Sequence, residues 1–372
     1  MNRREALGLL AAAPFALAAG PRAKAYSDAD FARAIVIDGL GSPTDPEMKP
    51  GNWRYSPRGI AEMKQSGLTA VNVTVGEVGN NIDAWNATLQ RLSYVGGIID
   101  ANPDLFLLAR RAADIREAKA AGKVAVIYGL QDTAMVGSDL DRLRILKSIG
   151  VRSVQLTYNL RNLSGDGSLE PDNAGLSKLG RETIEKIEAE KLLLDLSHGG
   201  RKTIVQAIEA SKRPLAISHT GCRALNDNPR NVDDASMKAA AEKGGVVGIY
   251  WMPFLVASGK PDTADLIRHM DHALNVVGED HLSIGTDGTL SALTIDDATR
   301  ERQRKFYEGR AARGIAAPGE GADIFNYVHT LNSHLRFRMF ADALSKHGWP
   351  AARIDKVLGG NLLRLYGEAW GG

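Results

Sequence analysis

Cysteine is nearly absent from this sequence, and neither sign of charge is in excess. The chain has one cysteine, Cys222, among 372 residues, so no disulfide can form within it. That count is compatible with both oxidising and reducing compartments. Lys and Arg number 46 against 44 Asp and Glu, and no basic stripe runs along the chain. We therefore expect no nucleic-acid partner.

Long apolar runs are absent after residue 25, where no stretch approaches the roughly 20 residues that a membrane-spanning helix needs. We therefore expect no membrane span. The one long apolar run, Leu7 to Ala19, follows Arg3-Arg4 and precedes the small-residue pattern Ala23-Lys24-Ala25. This order predicts an export signal over residues 1–25. The paired arginines favour the twin-arginine route to the periplasm, and a general secretory signal is the alternative.

The remaining residues, 26–372, are predicted to form a single α/β domain. Hydrophobic residues make up 44% of the chain and charged residues 24%, which is enough to bury a large core. Eight short apolar, β-branched runs alternate with segments of helical period, as in a (β/α)₈ TIM barrel. These runs are Ile35 to Asp38, Ala70 to Val75, Val124 to Leu130, Ser153 to Thr157, Leu192 to Leu196, Leu215 to Ser218, Val246 to Trp251 and Leu282 to Gly285. A further run, Leu105 to Leu108, has no place in this count and is either an extra strand or a buried helix end.

Polar side chains follow several of the predicted strands, at the barrel face where chemistry is expected. They are Gln131, Tyr158, His198, His219 and Asp287. Two imidazoles and a carboxylate on one rim are typical zinc ligands. The alternative is that each histidine is a hydrogen-bonded structural residue.

The order of these residues resembles the membrane dipeptidase (renal dipeptidase) family of the amidohydrolase superfamily. The resemblance covers residues 38–366. It implies a distorted TIM barrel with two zinc ions, bridged by a glutamate and by a hydroxide that attacks the amide of a dipeptide. The motifs that carry it are Asp195-Leu196-Ser197-His198, Ile217-Ser218-His219-Thr220, Asn228-Pro229-Arg230-Asn231-Val232-Asp233-Asp234, Gly244-Gly245-Val246-Val247-Gly248, Ile284-Gly285-Thr286-Asp287-Gly288 and Leu358-Gly359-Gly360-Asn361-Leu362-Leu363-Arg364.

Four positions keep the family's residue types. By resemblance, His198 and His219 are the ligands of the second metal. Asp287 corresponds to the aspartate that handles the proton, and Arg230 to the arginine that binds the substrate carboxylate.

Four other positions depart from the family. Leu40 and Ser42 stand where the family has the two ligands of the first metal, and Gln131 replaces the bridging glutamate. Tyr158 stands where the family has a histidine near the substrate, and we expect it to line the substrate pocket. Leu40 has no lone pair and Ser42 is a poor neutral ligand, so a bridged pair of zinc ions is not expected.

The expected cofactor is therefore one zinc ion at most, or none. His198, His219 and Asp287 would hold it, with the carbonyl of Gln131 as a weak further ligand. Asp132 is a carboxylate beside Gln131, but on a strand its side chain should point the other way.

Two functions remain open. The first is an exported zinc-dependent hydrolase that cleaves a dipeptide or a similar small carboxylate-bearing amide. The second is a dipeptidase-like protein without peptidase activity, which binds a peptidic ligand or performs another step in maturing an exported peptide-derived product. Residues 289–326 occupy the position of a loop over the barrel mouth, where they would close on substrate or contact a neighbouring subunit. The family resemblance also implies a homodimer.

Overall fold

The computed structural model describes residues 25–49, 51–79 and 81–371. The predicted export signal, apart from Ala25, lies outside this range. Among the described residues, no helix has the length and apolar composition that crossing a membrane requires.

In the described part of the chain, nine parallel strands form one sheet, and eight of them follow one another around a barrel in the order β1-β2-β4-β5-β6-β7-β8-β9. The first and last of these strands meet where the Gly39 amide donates to the Ile284 carbonyl at 3.0 Å. The predicted TIM-barrel class is thus confirmed. The strands are β1 Ile37–Asp38, β2 Ala70–Thr74, β3 Phe106–Leu108, β4 Val124–Leu130, β5 Val151–Gln155, β6 Leu193–Asp195, β7 Ala216–Thr220, β8 Val246–Ile249 and β9 Leu282–Ile284.

The strand outside this order is β3, which corresponds to the apolar run Leu105 to Leu108 that could not be assigned from the sequence. Strand β3 pairs with β4 from Phe106 opposite Val124 to Leu108 opposite Val126, whereas β5 pairs with the second half of β4. It is therefore an extra strand outside the barrel circuit, and not a helix end.

Among residues 25–49, 51–79 and 81–371, thirteen α-helices accompany the barrel strands. Typical of them is α6, in which the Ser177 hydroxyl accepts from the Gly180 amide at the N-terminus while Ile184 and Ile187 are buried. The helices are α1 Asp28–Arg33, α2 Pro57–Gln65, α3 Ala84–Ala101, α4 Ala112–Ala120, α5 Asp141–Ile149, α6 Lys178–Ala189, α7 Arg201–Ala210, α8 Asp234–Glu242, α9 Thr263–Val277, α10 Asp297–Ala312, α11 Arg336–Lys346, α12 Ala351–Asp355 and α13 Asn361–Trp370. Short 3₁₀ turns at Pro253–Leu255 and His329–Leu331 and a π turn at Lys356–Gly360 complete the elements.

Two apolar clusters make up the core. The larger lies between the strands and the outer helices. The smaller joins strand residues such as Ile37 and Val246 to Leu362 and Leu365 of α13. Buried apolar side chains of the C-terminal helix thus pack against the strands, and the polar residues stand at the carboxyl ends of those strands.

Candidate active site

The carboxyl ends of the strands bring the predicted site residues to one face of the barrel. Gln131 follows β4, His198 comes three residues after the end of β6, His219 lies within β7 and Asp287 comes three residues after the end of β9. His198 and Asp287 have positive φ angles of 61° and 53°, a left-handed conformation that is uncommon outside glycine. Such backbone geometry costs energy and concentrates at functional sites, and both residues lie at the barrel mouth.

The two histidines form a buried pair with ring centroids 4.9 Å apart. His198 Nδ1 lies 2.6 Å from the side-chain oxygen of Asn159, which can only accept. Nδ1 of His198 therefore carries the proton. Its Nε2 lone pair is buried and has no hydrogen-bond partner among the described residues.

His219 is held in the same tautomer by a longer relay. Its Nδ1 lies 2.8 Å from Ser218 Oγ, and that hydroxyl donates to the Asp195 carboxylate. The Ser218 oxygen is therefore free to accept from Nδ1, which leaves Nε2 as the lone pair. This Nε2 faces the carboxamide nitrogen of Gln131 at 3.3 Å. Both imidazoles thus direct a lone pair away from the residues that fix them, as metal-binding histidines do.

Burial also sets the charge of the pair. It lowers the pKa of His198 and of His219 well below the usual value, and the nearby charge of Arg230 lowers both further. At neutral pH both rings are therefore uncharged, which is the state that binds a metal or accepts a proton.

Tyr158 packs against the His198 ring of the histidine pair. Its ring stacks on His198 with centroids 4.1 Å apart, and its hydroxyl accepts from Arg310 Nη1 at 2.9 Å. Arg310 in turn forms a two-pronged pair with Glu320, at 2.6 and 2.7 Å. Tyr158 therefore lies beside His198, and its hydroxyl is engaged with Arg310 of α10.

Arg310 and Glu320 are site residues that the sequence did not reveal. Arg310 lies near the end of a highly charged helix, and nothing in its spacing separates it from its neighbours. The helix itself corrects the expectation of a plain loop over residues 289–326, since α10 occupies 297–312 and lies against the barrel mouth. Its first turn is stabilised by Asp296, whose side chain accepts from the Thr299 amide.

Arg230 is 3% exposed, and its Nη2 has no hydrogen-bond partner among the described residues. Burial lowers the pKa of this guanidinium, while the charge of Asp287 opposes that shift. The pKa of Asp287 is raised to about 6 by burial, in spite of the charges of Arg230 and Arg310. A buried cation with a free N–H group is poised to bind an anionic group, and its planar fork suits a carboxylate.

The other half of the mouth presents no imidazole or thiol among the described residues. Leu40 and Ser42 line a cavity of about 430 Å³ that extends from Asp287 to α10. The Asp38 carboxylate, at the end of β1, accepts from the amide and the hydroxyl of Thr286 at 2.7 and 2.6 Å. Its carboxyl group is thus used to join β1 to the residues after β9.

Asp132 points away from the site, as the alternation of strand side chains predicts. Its carboxylate accepts from the amides of Gly79 and Ala134 and from the side chain of Asn162. The Asp132 carboxylate therefore stabilises the surrounding backbone. It does not take the place of the bridging glutamate of the family, where this chain has Gln131.

The side chains fit one metal ion better than two. The described residues contain no group of three or more His, Cys, Asp or Glu side chains placed to hold a metal ion, so Asp287 does not complete a three-ligand set with the histidines. What remains are two imidazole lone pairs, one of them buried without a partner, and the Gln131 amide, which presents oxygen when it is turned. This set fits a single zinc ion but not the bridged pair.

Comparison with known proteins shows the family of this chain. Residues 56–299 match the sequence profile described as Membrane dipeptidase (Peptidase family M19). The chain belongs to the membrane dipeptidase family. Family membership makes it a metallodipeptidase-like hydrolase and implies a metal-dependent reaction on a small peptide.

Its relatives include a protein of Klebsiella pneumoniae named only by its position 5′ of pqqA, which is 28% identical over 76% of this chain and 95% of its own length. The dipeptidase tcpJ of Claviceps purpurea is 30% identical over 76% of this chain, which spans 59% of the fungal protein. A solved amidohydrolase structure from Pseudomonas aeruginosa shares 30% identity and a TM-score of 0.79, over 92% of this chain and 99% of the other.

Proposed function

We propose that this protein hydrolyses the amide bond of a dipeptide, or of a similar small amide with a free carboxylate, with a single zinc ion at the histidine pair. One observation carries the proposal. The free Nη2 of buried Arg230 lies near two neutral imidazoles and near Asp287, whose pKa it influences. The buried guanidinium of Arg230 suits an anionic substrate, and the lone pairs of the two uncharged imidazoles suit a metal ion beside it.

The residues of the chain have distinct roles in this reaction. Arg230 binds the substrate carboxylate through its free N–H group. Tyr158, fixed between His198 and Arg310, closes one side of the pocket and excludes water. His198 and His219 would hold the zinc ion, with Gln131 beside them. The chemistry that a zinc ion supplies when bound is polarisation of the amide carbonyl and a lower pKa for water.

Asp287 is the group that accepts and then donates the proton. Because burial raises its pKa to about 6, Asp287 is ionised at neutral pH yet basic enough to accept a proton from water. The water oxygen bonds to the carbonyl carbon, the C–N bond breaks, and Asp287 passes the proton to the departing nitrogen. The products are a carboxylic acid and an amine, and no further reactant is required.

We expect this zinc ion to bind more weakly than one in a site with three protein ligands. Only two imidazoles are strong donors here. The charge of Arg230, which lowers the pKa of both rings, also opposes a cation between them.

We further propose that the protein acts in the periplasm after export by the twin-arginine route. The support is the sequence of residues 1–25 together with the packing that begins directly afterwards. The Tyr26 amide donates to Ser345 Oγ at 2.9 Å, and the Tyr26 ring is buried. Cleavage before Tyr26 would leave the domain intact.

A second candidate function is ligand binding, or another maturation step, without peptidase activity. The absence of acidic and imidazole groups at Leu40 and Ser42 favours it, because the first metal site of the family has no ligands there.

The test is a hydrolysis assay with added zinc on dipeptides that have either a free or an amidated C-terminus. We expect cleavage of free dipeptides and at least about tenfold lower kcat/KM for their amides, since the guanidinium–carboxylate contact contributes about 1.5–3 kcal/mol. Arg230→Met should remove this preference, whereas Arg223→Met, which alters an exposed arginine paired with Asp227, should keep it. No cleavage of any dipeptide at any zinc concentration would overturn the hydrolase and favour the second function.

A further inference from the structure

A second cavity, of about 580 Å³, lies between α3 and the neighbouring strands. Its walls are mostly apolar. Val95, Ile98 and Ile99 of α3 face it, and Val73, Phe106 and Val126 of the strands form the opposite side. These three α3 side chains are only half-buried, so core residues do not cover the whole apolar face of this helix.

The cavity is framed by specific hydrogen bonds. Asp45 accepts from the amide and the hydroxyl of Ser56 at 2.5 and 2.9 Å, which holds the segment after β1 over the opening. Asn102, directly after α3, accepts from the Tyr55 amide at 2.9 Å and donates to the Trp53 carbonyl at 2.7 Å. Asp45 and Asn102 are thus engaged with this segment, and the cavity surface is mainly apolar although Lys49 also lines it.

This cavity meets the one at the barrel mouth. Ser42 and Val73 line both, and the mouth cavity continues to Asp287. The contact lies where Ser42 stands in place of a metal-binding aspartate of the family. The small side chain of Ser42 therefore stands between the cavity that Asp287 lines and the apolar space.

The position of Arg230 gives the direction of the substrate. Arg230 follows β7, the sixth strand of the circuit, whereas the apolar cavity adjoins β2, the second, on the opposite side of the mouth. A substrate whose carboxylate is held by Arg230 extends its other end toward β1 and β2. That end is the acyl side of the scissile amide.

We propose that the preferred substrates are N-acylated amino acids whose acyl chain occupies this apolar cavity. The inference rests on the proposed function for the orientation of the carboxylate. Hydrolysis adds water across the acyl C–N bond and gives a fatty acid and a free amino acid. An apolar chain is favoured because the cavity offers few free polar groups, and burial of methylenes in such a space is favourable.

Calorimetric titration of the metal-free full chain, in which hydrolysis does not proceed, with N-acetyl-, N-hexanoyl- and N-decanoyl-L-alanine tests the proposal, and cleavage of the same compounds is assayed with the zinc-loaded chain. A fully buried methylene contributes about 0.8 kcal/mol, close to fourfold in affinity, so hexanoyl should bind at least about tenfold more tightly than acetyl. Equal Kd values for the three ligands would overturn the proposal, and cleavage of dipeptides in parallel would leave the proposed function standing. Tight binding of the long chains without any cleavage would support the cavity and reject the hydrolase.

Variants that place a larger side chain in the cavity test whether the acyl chain binds there. Ile98→Trp should abolish the gain from chain length while the Kd of N-acetyl-L-alanine stays within about twofold, because its short acyl group does not reach Ile98. Leu89→Trp on the same helix does not alter this cavity and should bind all three ligands as the unaltered chain does. Val95→Phe is a milder filling variant for use if Ile98→Trp unfolds. A chain-length gain that survives in both filling variants would overturn the assignment of the cavity.

Discussion

The two sides of the barrel mouth differ in what their side chains are free to do. On the side of β6 and β7, His198 and His219 are each fixed through Nδ1 and direct a lone pair away from that contact. On the side of β1 and β2, Leu40 and Ser42 line an open cavity, and the Asp38 carboxylate accepts hydrogen bonds from Thr286. The β6–β7 side therefore presents two fixed imidazoles with lone pairs, whereas the described residues of the β1–β2 side present a cavity without imidazoles.

The largest effect should come from removing an imidazole. His198→Ala takes away the lone pair that has no partner, so we expect zinc binding to fail and kcat/KM to fall by about 1000-fold, which corresponds to several kcal/mol of lost carbonyl polarisation. Elemental analysis and the dipeptide assay measure this.

His269 supplies a matched control for that variant. It is a buried histidine whose nitrogens pair with the Cys222 amide and the Leu255 carbonyl, outside the site. His269→Ala should lower thermal stability and leave zinc content unchanged. Equal zinc in His198→Ala and in the unaltered chain would refute a metal role for the pair.

Removing the proton-handling carboxylate should have the next largest effect. Asp287→Asn is expected to lower kcat by about 100-fold, the usual contribution of a positioned acid–base group. The pKa of Asp287 is about 6, so the required ionised form is present above that pH and is lost as the pH falls through it. The rate of the unaltered enzyme should decline on the acid side of pH 6, and the variant should lack that limb. A pH–rate profile of the same shape in both proteins would contradict the role.

Removing the hydrogen-bond partner of one imidazole should have a smaller effect than removing the imidazole itself. Asn159→Ala removes the acceptor of His198 Nδ1, and we expect about tenfold weaker zinc binding, in line with other residues that orient metal ligands. Asn361→Ala is the control, because this buried asparagine pairs with the Glu279 and Leu282 carbonyls far from the site. If the two variants bind zinc equally well, the orientation by Asn159 has no consequence.

The smallest effect should come from the helix over the mouth. Glu320→Gln removes one charge of its pair with Arg310, which should weaken the hold on Tyr158 and raise KM a few-fold. Both side chains are largely buried, so the free energy of unfolding should fall by about 1–3 kcal/mol. Denaturant titration checks this against Glu308→Gln, an exposed partner of Arg304 that should change neither quantity. An unchanged KM in Glu320→Gln would show that the Arg310 clamp does not position Tyr158.

Much of the barrel could be predicted from the sequence because β-branched runs and their polar ends repeat at regular intervals. The positions of His198, His219, Arg230 and Asp287 on one face followed from that repeat and from the family motifs. The distances across the rim did not follow, and among the described residues Asp287 and the two histidines do not form a group placed to hold a metal ion. A strand order gives the sequence of groups around a rim, but not the distances across it.

Two other features had no local signature. Arg310 is one of several arginines on a charged helix, and its contact with Tyr158 depends on how α10 lies over the mouth. The apolar face of α3 has the same spacing as a helix face buried in a core, and only the tertiary structure shows that it borders a cavity. The homodimer and the export route remain predictions.

The most direct test of the contrast between the two halves is the zinc content of the full chain at saturating zinc, measured beside the variant Leu40→His/Ser42→Asp/Gln131→Glu. We expect at most one ion per chain in the unaltered protein, and about two in the variant, which restores the ligand types of the first site in an existing cavity. Two ions per chain in the unaltered protein would contradict it, since the β1–β2 half would then bind a metal without the groups that the structure lacks there.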